Sequence, residues 1–328
     1  MVALLVALAM GRPLEGGPVE SLTLRFDSRY DRIDGGRQAH RLQNSALVSF
    51  TTDLVGGVQL AGMAVTGDDF TSRWHTWYDL RDGDTERMAL ALRQLYLQRW
   101  FGPIRVQAGS LAPVKGSVST TGLEDLGWID GVRVEAHGSK GSVVEVVAGA
   151  LTDPDEPDLF LRQRRLDYGE LEVGQQLPGG LGAEVAVHVL GEAVYPRAEL
   201  SWSGEGRLAA VLARVEGAVE AIGGGTQGAA GVWMDVGQLA TEREVWHRRL
   251  RTQASCRWVD PAYGTFGALS EDFYQFGGEC RVRARGEVDP GGYLAWDVRY
   301  IAPVTADLVP RFDVGLTLKL SLERGAAP

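Results

Sequence analysis

With 328 residues, 45% hydrophobic content and a net charge of −10, the chain has the mass for two ordinary domains or one large β-barrel and is not disordered. The acidic balance excludes a general nucleic-acid binder. No zinc-type Cys/His spacing, phosphate-cradling loop or nucleophile elbow occurs, so no metal, cofactor or catalytic centre is expected.

The first apolar run is VALLVALAM, residues 2–10, well short of the roughly 18 apolar residues of a spanning helix. Ala7-Leu8-Ala9 fits the small-x-small cleavage site of an export signal, and the usual basic flank before the run is missing. Residues 1–9 are expected to be a truncated signal peptide, with a first strand or a buried helix as alternatives.

From residue 20 onward the pattern is that of strands of roughly 9 to 15 residues. They are predicted at 20–30, 42–54, 57–67, 87–100, 103–111, 129–138, 142–151, 165–175, 181–191, 195–204, 208–220, 229–238, 244–258, 274–286, 291–301 and 311–323, about sixteen in all. Apolar and polar residues alternate along them. In RFDVGLTLKLSLE, Phe312, Val314, Leu316, Leu318, Leu320 and Leu322 share one parity, and Asp313, Thr317, Lys319 and Glu323 the other. LGAEVAVHV sets Val185, Val187 and Val189 against Glu184 and His188. Around 57–67 and 165–175 the parity slips, as a β-bulge would cause. The 43 glycines suit many turns and kinked strands.

The connections alternate in length. Long ones are 31–41, 67–87, 110–128, 152–164 and 259–273, and between them lie short ones such as LVGG (54–57), FGP (101–103), HGSKG (137–141) and QLPGG (176–180). Short turns at one end and long loops at the other mark an up-and-down barrel of the outer-membrane type, with the turns periplasmic. Aromatics near strand ends on the apolar parity, among them Trp100, Trp202, Trp246, Trp258, Tyr300 and Phe312, suit interfacial girdles. The expected fold is all-β: a transmembrane antiparallel barrel, one domain over residues 10–328.

LRQLYLQRWFGPIRVQAGSLAP (92–113), followed by GWIDGVRVEAHG (127–138), resembles the general bacterial outer-membrane porins. In that superfamily a strand ending in an aromatic turns tightly into a strand closing on Gly, and a long loop then leads to an Asp-Gly-Val strand. Here these pieces are Leu92–Trp100, Gly102-Pro103, Arg105–Gly109 and Asp130-Gly131-Val132. Outer-membrane barrels usually end in an aromatic, whereas this chain ends LERGAAP. The resemblance implies that loop 110–128 enters the lumen and places Lys115, Glu124 and Asp125 at a constriction; an external loop is the alternative.

If the apolar parity faces lipid, the other lines a pore. Candidate pore-lining residues are Arg25, Arg105, Arg133, Arg249, Arg251, Arg257, Arg281, Arg283, Arg285, Arg299, Glu279, Asp297 and Lys319. These charges make either a transverse field that orients solutes or a ladder of ion pairs that stiffens the wall. Cys256 and Cys280 lie on the apolar parity of neighbouring strands, where a disulfide and two free thiols are both open. His137 and Ser139 flank Gly138 without matching a hydrolase pattern, and no enzyme is expected.

The expected function is a bacterial outer-membrane porin, a water-filled channel for passive diffusion of small polar or anionic solutes. The alternative is a scaffold around a periplasmic partner such as a multi-haem cytochrome, which would bring the haem because the chain has no haem-attachment motif. Expected partners are outer-membrane lipid and lipopolysaccharide, small polar solutes, and further copies in a homotrimer or a periplasmic partner. The acidic clusters DLRDGD and DPDEPD lack a complete calcium-loop spacing and are read as solvated charge, with cation bridging to lipopolysaccharide as the alternative.

Overall fold

The computed structural model describes residues 19–34, 39–67, 70, 72–79, 90–113, 126–151, 155–204, 211–219, 230–239, 244–245, 248–259, 277–289, 293–305 and 309–323. Residues 1–9, expected to be an export signal, lie outside them. Strands follow in the order β1 (Val19–Ile33), β2 (Ala39–Asp53), β3 (Val58–Thr66), β4 (His75–Asp79), β5 (Leu90–Phe101), β6 (Ile104–Leu111), β7 (Ile129–His137), β8 (Val143–Ala150) and β9 (Tyr168–Leu177). They continue with β10 (Leu181–Leu190), β11 (Ala193–Ser203), β12 (Val211–Val219), β13 (Ala230–Leu239), β14 (Glu244–Val245), β15 (Arg248–Val259), β16 (Gly277–Glu287), β17 (Leu294–Pro303) and β18 (Arg311–Glu323). Apart from β4, of 5 residues, each overlaps one of the predicted strands, β14 and β15 both falling in the one expected at 244–258.

All strand pairs are antiparallel and join neighbours in sequence except where the short β4 and β14 are bypassed, β3 pairing with β5 and β13 with β15 while β4 pairs with β2; the ladder closes where β1 meets β18 over thirteen residue pairs from Ser21↔Glu323 to Ile33↔Arg311. The ring therefore has no open edge among its long strands. The first and last strands begin and end at the short-turn side, as an even strand count requires.

The polarity of the ring is inside-out. Val132, Val134, Val146, Leu171, Val185, Val187, Leu200, Val282, Leu316 and Leu318 are all exposed. Buried side chains on the other parity include Asp27, Arg29, Gln43, Arg133, Glu145, Glu172, His188, Arg197 and Asp313. A water-soluble sandwich would reverse this distribution. Rings stand on the outer face near both rims: Phe101 and Trp202 by the short turns, and Trp258, Tyr300 and Phe312 toward the long loops. Trp100, expected on the apolar parity, instead shares the inner face with its register partner Arg105, whose guanidinium lies 5.5 Å from its ring.

Three sequence expectations are corrected. The first long loop is shorter than predicted, because β1 and β2 stay paired to Ile33↔Ala39 and Tyr30 Oη lies 2.6 Å from His40 Nδ1. The slip near 165–175 is absent, since β9 runs in continuous register with β8 and β10; Tyr168 is an apolar residue facing inward, which mimicked a phase change. The irregularity near 57–67 is present on the facing strand: Arg93 of β5 is the extra residue opposite Met63 and Ala64.

Two local devices shape the ring. Turns Val55–Gly57, Ser139–Gly141 and Pro178–Gly180 share one geometry, in which the middle residue is left-handed: Gly56 and Gly179 at φ 75°, and Lys140 at φ 64°. Across β6, β7 and β8, Gly109, Gly131 and Gly149 stand directly opposite one another. A Cβ on Gly131 would come within 2.1 Å of the Ala148 carbonyl oxygen, so the sheet is creased there and only glycine fits. Cys256 and Cys280 are register partners on the outer face and are joined by a disulfide that closes the base of loop 260–276.

Gly131→Val is expected to abolish the heat-modifiable, folded band on unboiled gels. Without reductant neither cysteine should take up an alkylating reagent, and both should do so once reduced.

Candidate functional site in the barrel lumen

The inner wall is built from β-strand parity: odd residues of β1 and β18 and even residues of β9 and β10 all point inward. At the level below the glycine crease this wall is charged. Arg105 pairs with Glu135, Arg133 Nε lies 3.1 Å from Glu145, and Arg197 meets Glu172 at 3.0 Å and also Glu184. On the far side of the ring Arg25 meets Asp27 at 2.9 Å, Arg283 meets Asp297 at 2.6 Å, Arg299 meets Asp313 at 3.0 Å, and Arg311 meets Asp31 at 2.5 Å. Burying a charge is tolerable only with such partners.

The ladder and the transverse asymmetry coexist. On β6–β11, Glu135, Glu145, Glu170, Glu172, Glu184 and Glu199 outnumber Arg105, Arg133 and Arg197. Glu135, Glu145, Glu172, Glu184 and Glu199, with Arg105 and Arg133, border a recess of about 280 Å³ whose lining also includes Gly174 and Gly182. On β16–β18 and β1 the same parity carries Arg25, Arg29, Arg281, Arg283, Arg285, Arg299, Arg311 and Lys319 against Asp27, Asp31, Glu279, Glu287, Asp297, Asp313 and Glu323, a near balance with a small basic surplus. The two arcs lie on opposite sides of the ring, so the acidic surplus of β6–β11 faces this arc across the lumen.

Of the predicted pore-lining residues, Arg25, Arg105, Arg133, Arg283, Arg299, Glu279 and Asp297 stand on the inner parity with the partners or burial given above, Glu279 being 1% exposed. Lys319 and Arg285 are exposed on the same parity, and Arg281 is half-buried. Arg249, Arg251 and Arg257 are placed by backbone register alone, Arg251 opposite Arg285 and Arg257 opposite Glu279. Lys115, Glu124 and Asp125 lie outside the described residues. His137 turns to Glu135 and to the Trp100 ring, 5.3 Å away, rather than into a catalytic arrangement with Ser139.

The sequence did not disclose the plug at the long-loop end. Above the crease, Leu111, Ile129, Val147, Tyr168 and Tyr195 form an apolar cluster with Phe70, Trp128 and Leu151. Arg93, fully buried, binds it to the loops: its guanidinium donates to the carbonyls of Thr66, Gly67, Phe70, Ser72 and Leu126 at 2.7–3.4 Å. Arg162 enters from the segment between β8 and β9, lies over the Trp128 ring at 3.8 Å and donates to Ser110 Oγ, Asp130 and the carbonyls of Arg93, Glu156 and Pro157. Burial pulls its guanidinium down to about 10, which leaves it charged at neutral pH. The signals available in sequence were the parity slip at 57–67, on the strand facing Arg93, and an arginine-rich run, LRQRR, at the end of a predicted loop.

No protein-family model matches the sequence, and no curated protein matches it. Solved structures do. A Rhodopseudomonas blastica porin variant is 11% identical with a TM-score of 0.56, covering 91% of this chain and 99% of that one. Salmonella typhi OmpF, determined in complex with daunomycin, is 9% identical at TM-score 0.58, covering 92% and 98%. Pseudomonas aeruginosa OpdL is 11% identical at TM-score 0.52, covering 92% and 99%. At such low identity the likeness is one of fold, and the chain has the bacterial porin-like β-barrel fold.

Arg93→Met is expected to destabilise the barrel by roughly 3 to 5 kcal/mol, because buried carbonyls from two loops lose their donor at once. Thermal loss of the folded band on gels measures it, and loop 67–74 should become cleavable by protease under conditions where the parent is resistant.

Proposed function

We propose that the protein is a bacterial outer-membrane porin, a water-filled channel for passive diffusion of small polar or anionic solutes. The carrying observation is the inside-out ring: a closed wall of paired strands with an apolar outer face and a charged inner one. Such a wall is stable with lipid outside and water inside. Export through the signal expected at residues 1–9 would bring the chain to the periplasm, and the exposed apolar face offers a surface for lipid, lipopolysaccharide or further copies in a homotrimer.

A scaffold around a haem protein fits less well. It needs an interior open to a folded partner, whereas Phe70, Trp128, Arg93 and Arg162 fill one side of the lumen at the long-loop end.

The purified, detergent-folded protein is expected to give stepwise, non-rectifying conductance in planar bilayers, and it should partition with membranes rather than the aqueous phase. Folded protein that inserts and never conducts would remove the channel assignment.

A further inference from the structure

The segment after β3 does not stay at the rim. The chain turns at Gly67, φ 101°, where a Cβ would lie 2.2 Å from the Ser72 carbonyl oxygen. Thr66 Oγ1 donates to the Arg73 carbonyl at 2.7 Å, and the Gly67 N–H donates to His75 Nε2 at 2.7 Å. Arg93 holds the other side of the turn by the carbonyls named above. The far end then reaches the inner face of β1. Arg73 lies 3.5 Å from Asp27, and the Arg29 guanidinium lies 3.9 Å above the Trp74 ring. The segment thus bridges the lumen side of the wall from β5 to β1, and β4 returns to pair with β2.

Below this bridge the wall is basic and shallow. Inward positions of β1, β18 and β17 place Thr317 beside Asp27, Ala295 beside Thr317, and Gly315 between Arg29 and Asp297. These short side chains separate longer charged ones. Beside them stand Arg25, opposite Lys319, and Arg285, opposite Asp297 and within electrostatic reach of Arg25 and Asp27. Asp27 already serves Arg25, Arg73 and the Thr317 hydroxyl, and Asp297 serves Arg283. Arg285 and Lys319 are exposed to the lumen.

We infer that the loop after β3, through Arg73 and Trp74, is the solute-selecting element of this lumen, and that the basic side chains beside it, Arg25, Arg285 and Lys319, take small carboxylate- or phosphate-bearing anions. This rests on the channel assignment. Guanidinium groups on several sides match the forked oxygens of such anions, and the neighbouring ammonium adds long-range attraction. The ring of Trp74 limits width beside the charges.

The test uses the full chain in planar bilayers, with reversal potentials in a KCl gradient and inorganic phosphate as the probe of current block. The parent channel should prefer chloride to potassium, and phosphate should reduce its current in a concentration-dependent way. Arg73→Gln and Arg285→Gln should each weaken phosphate block on the order of tenfold and move the reversal potential toward zero. Trp74→Ala should raise single-channel conductance, and Lys140→Gly, in a turn at the opposite rim, should change neither readout. A cation-preferring parent channel overturns the inference, as does a conducting Arg73→Gln channel with parental block and reversal potential. If Arg73→Gln does not fold, Arg285→Gln decides alone, because that side chain touches no loop. Absence of any conductance from the parent would instead count against the channel assignment.

Discussion

Everything in this molecule follows from the meeting of β1 with β18. A sheet whose outer face is apolar must sit in lipid, and in lipid a free strand edge leaves a row of N–H and C=O groups with nothing to bond. The thirteen residue pairs between the first and last strands remove both edges at once. Closure also fixes parity around the whole ring: a slip of one residue at any junction would turn a strand's leucines inward and its arginines into hydrocarbon. The register of β1 with both neighbours, unbroken from Ser21 to Ile33, is what holds that phase.

Closure creates an interior that must then be made compatible with charge. Two solutions are used at different heights. Toward the short turns, arginines and carboxylates on adjacent strands neutralise one another while leaving a surplus of opposite sign on opposite arcs. Toward the long loops, the glycine crease lets β6, β7 and β8 bend and an apolar cluster form inside, against which loops are tied by Arg93 and Arg162. Both arginines work mainly through backbone carbonyls, the groups that an irregular segment inside a barrel leaves over. The loops are therefore structural members of the wall as much as they are appendages.

The period-two alternation made the strands and the inner and outer faces legible in the sequence, because one strand carries both its length and its two environments in a dozen letters. RFDVGLTLKLSLE is such a strand, and its Leu316 and Leu318 are exposed in the ring while Asp313 is buried. What stayed hidden depends on which loop goes where. TSRWHTW carries no period, so nothing in it announced that Arg73 would reach Asp27 or that Trp74 would lie under Arg29. Arg93 sat in a good strand pattern, and its role arises from one extra residue in β5 relative to β3, which is a property of two strands together. The ion-pair ladder was legible as charge on the right parity, but which arginine meets which carboxylate follows from register, and register needs the closed ring.

The Cys256–Cys280 bond has a consequence for how the barrel can be followed as it forms. The two sulfurs face each other only when β15 and β16 are in native register. Displacing one strand by a single residue would send one thiol to the lumen and leave the other toward lipid, out of reach of its partner. The redox state of this pair is thus a chemical record of strand alignment, written once per molecule and readable without spectroscopy. A population of chains sorted by thiol content would be sorted, at the same time, by whether that hairpin had found its place.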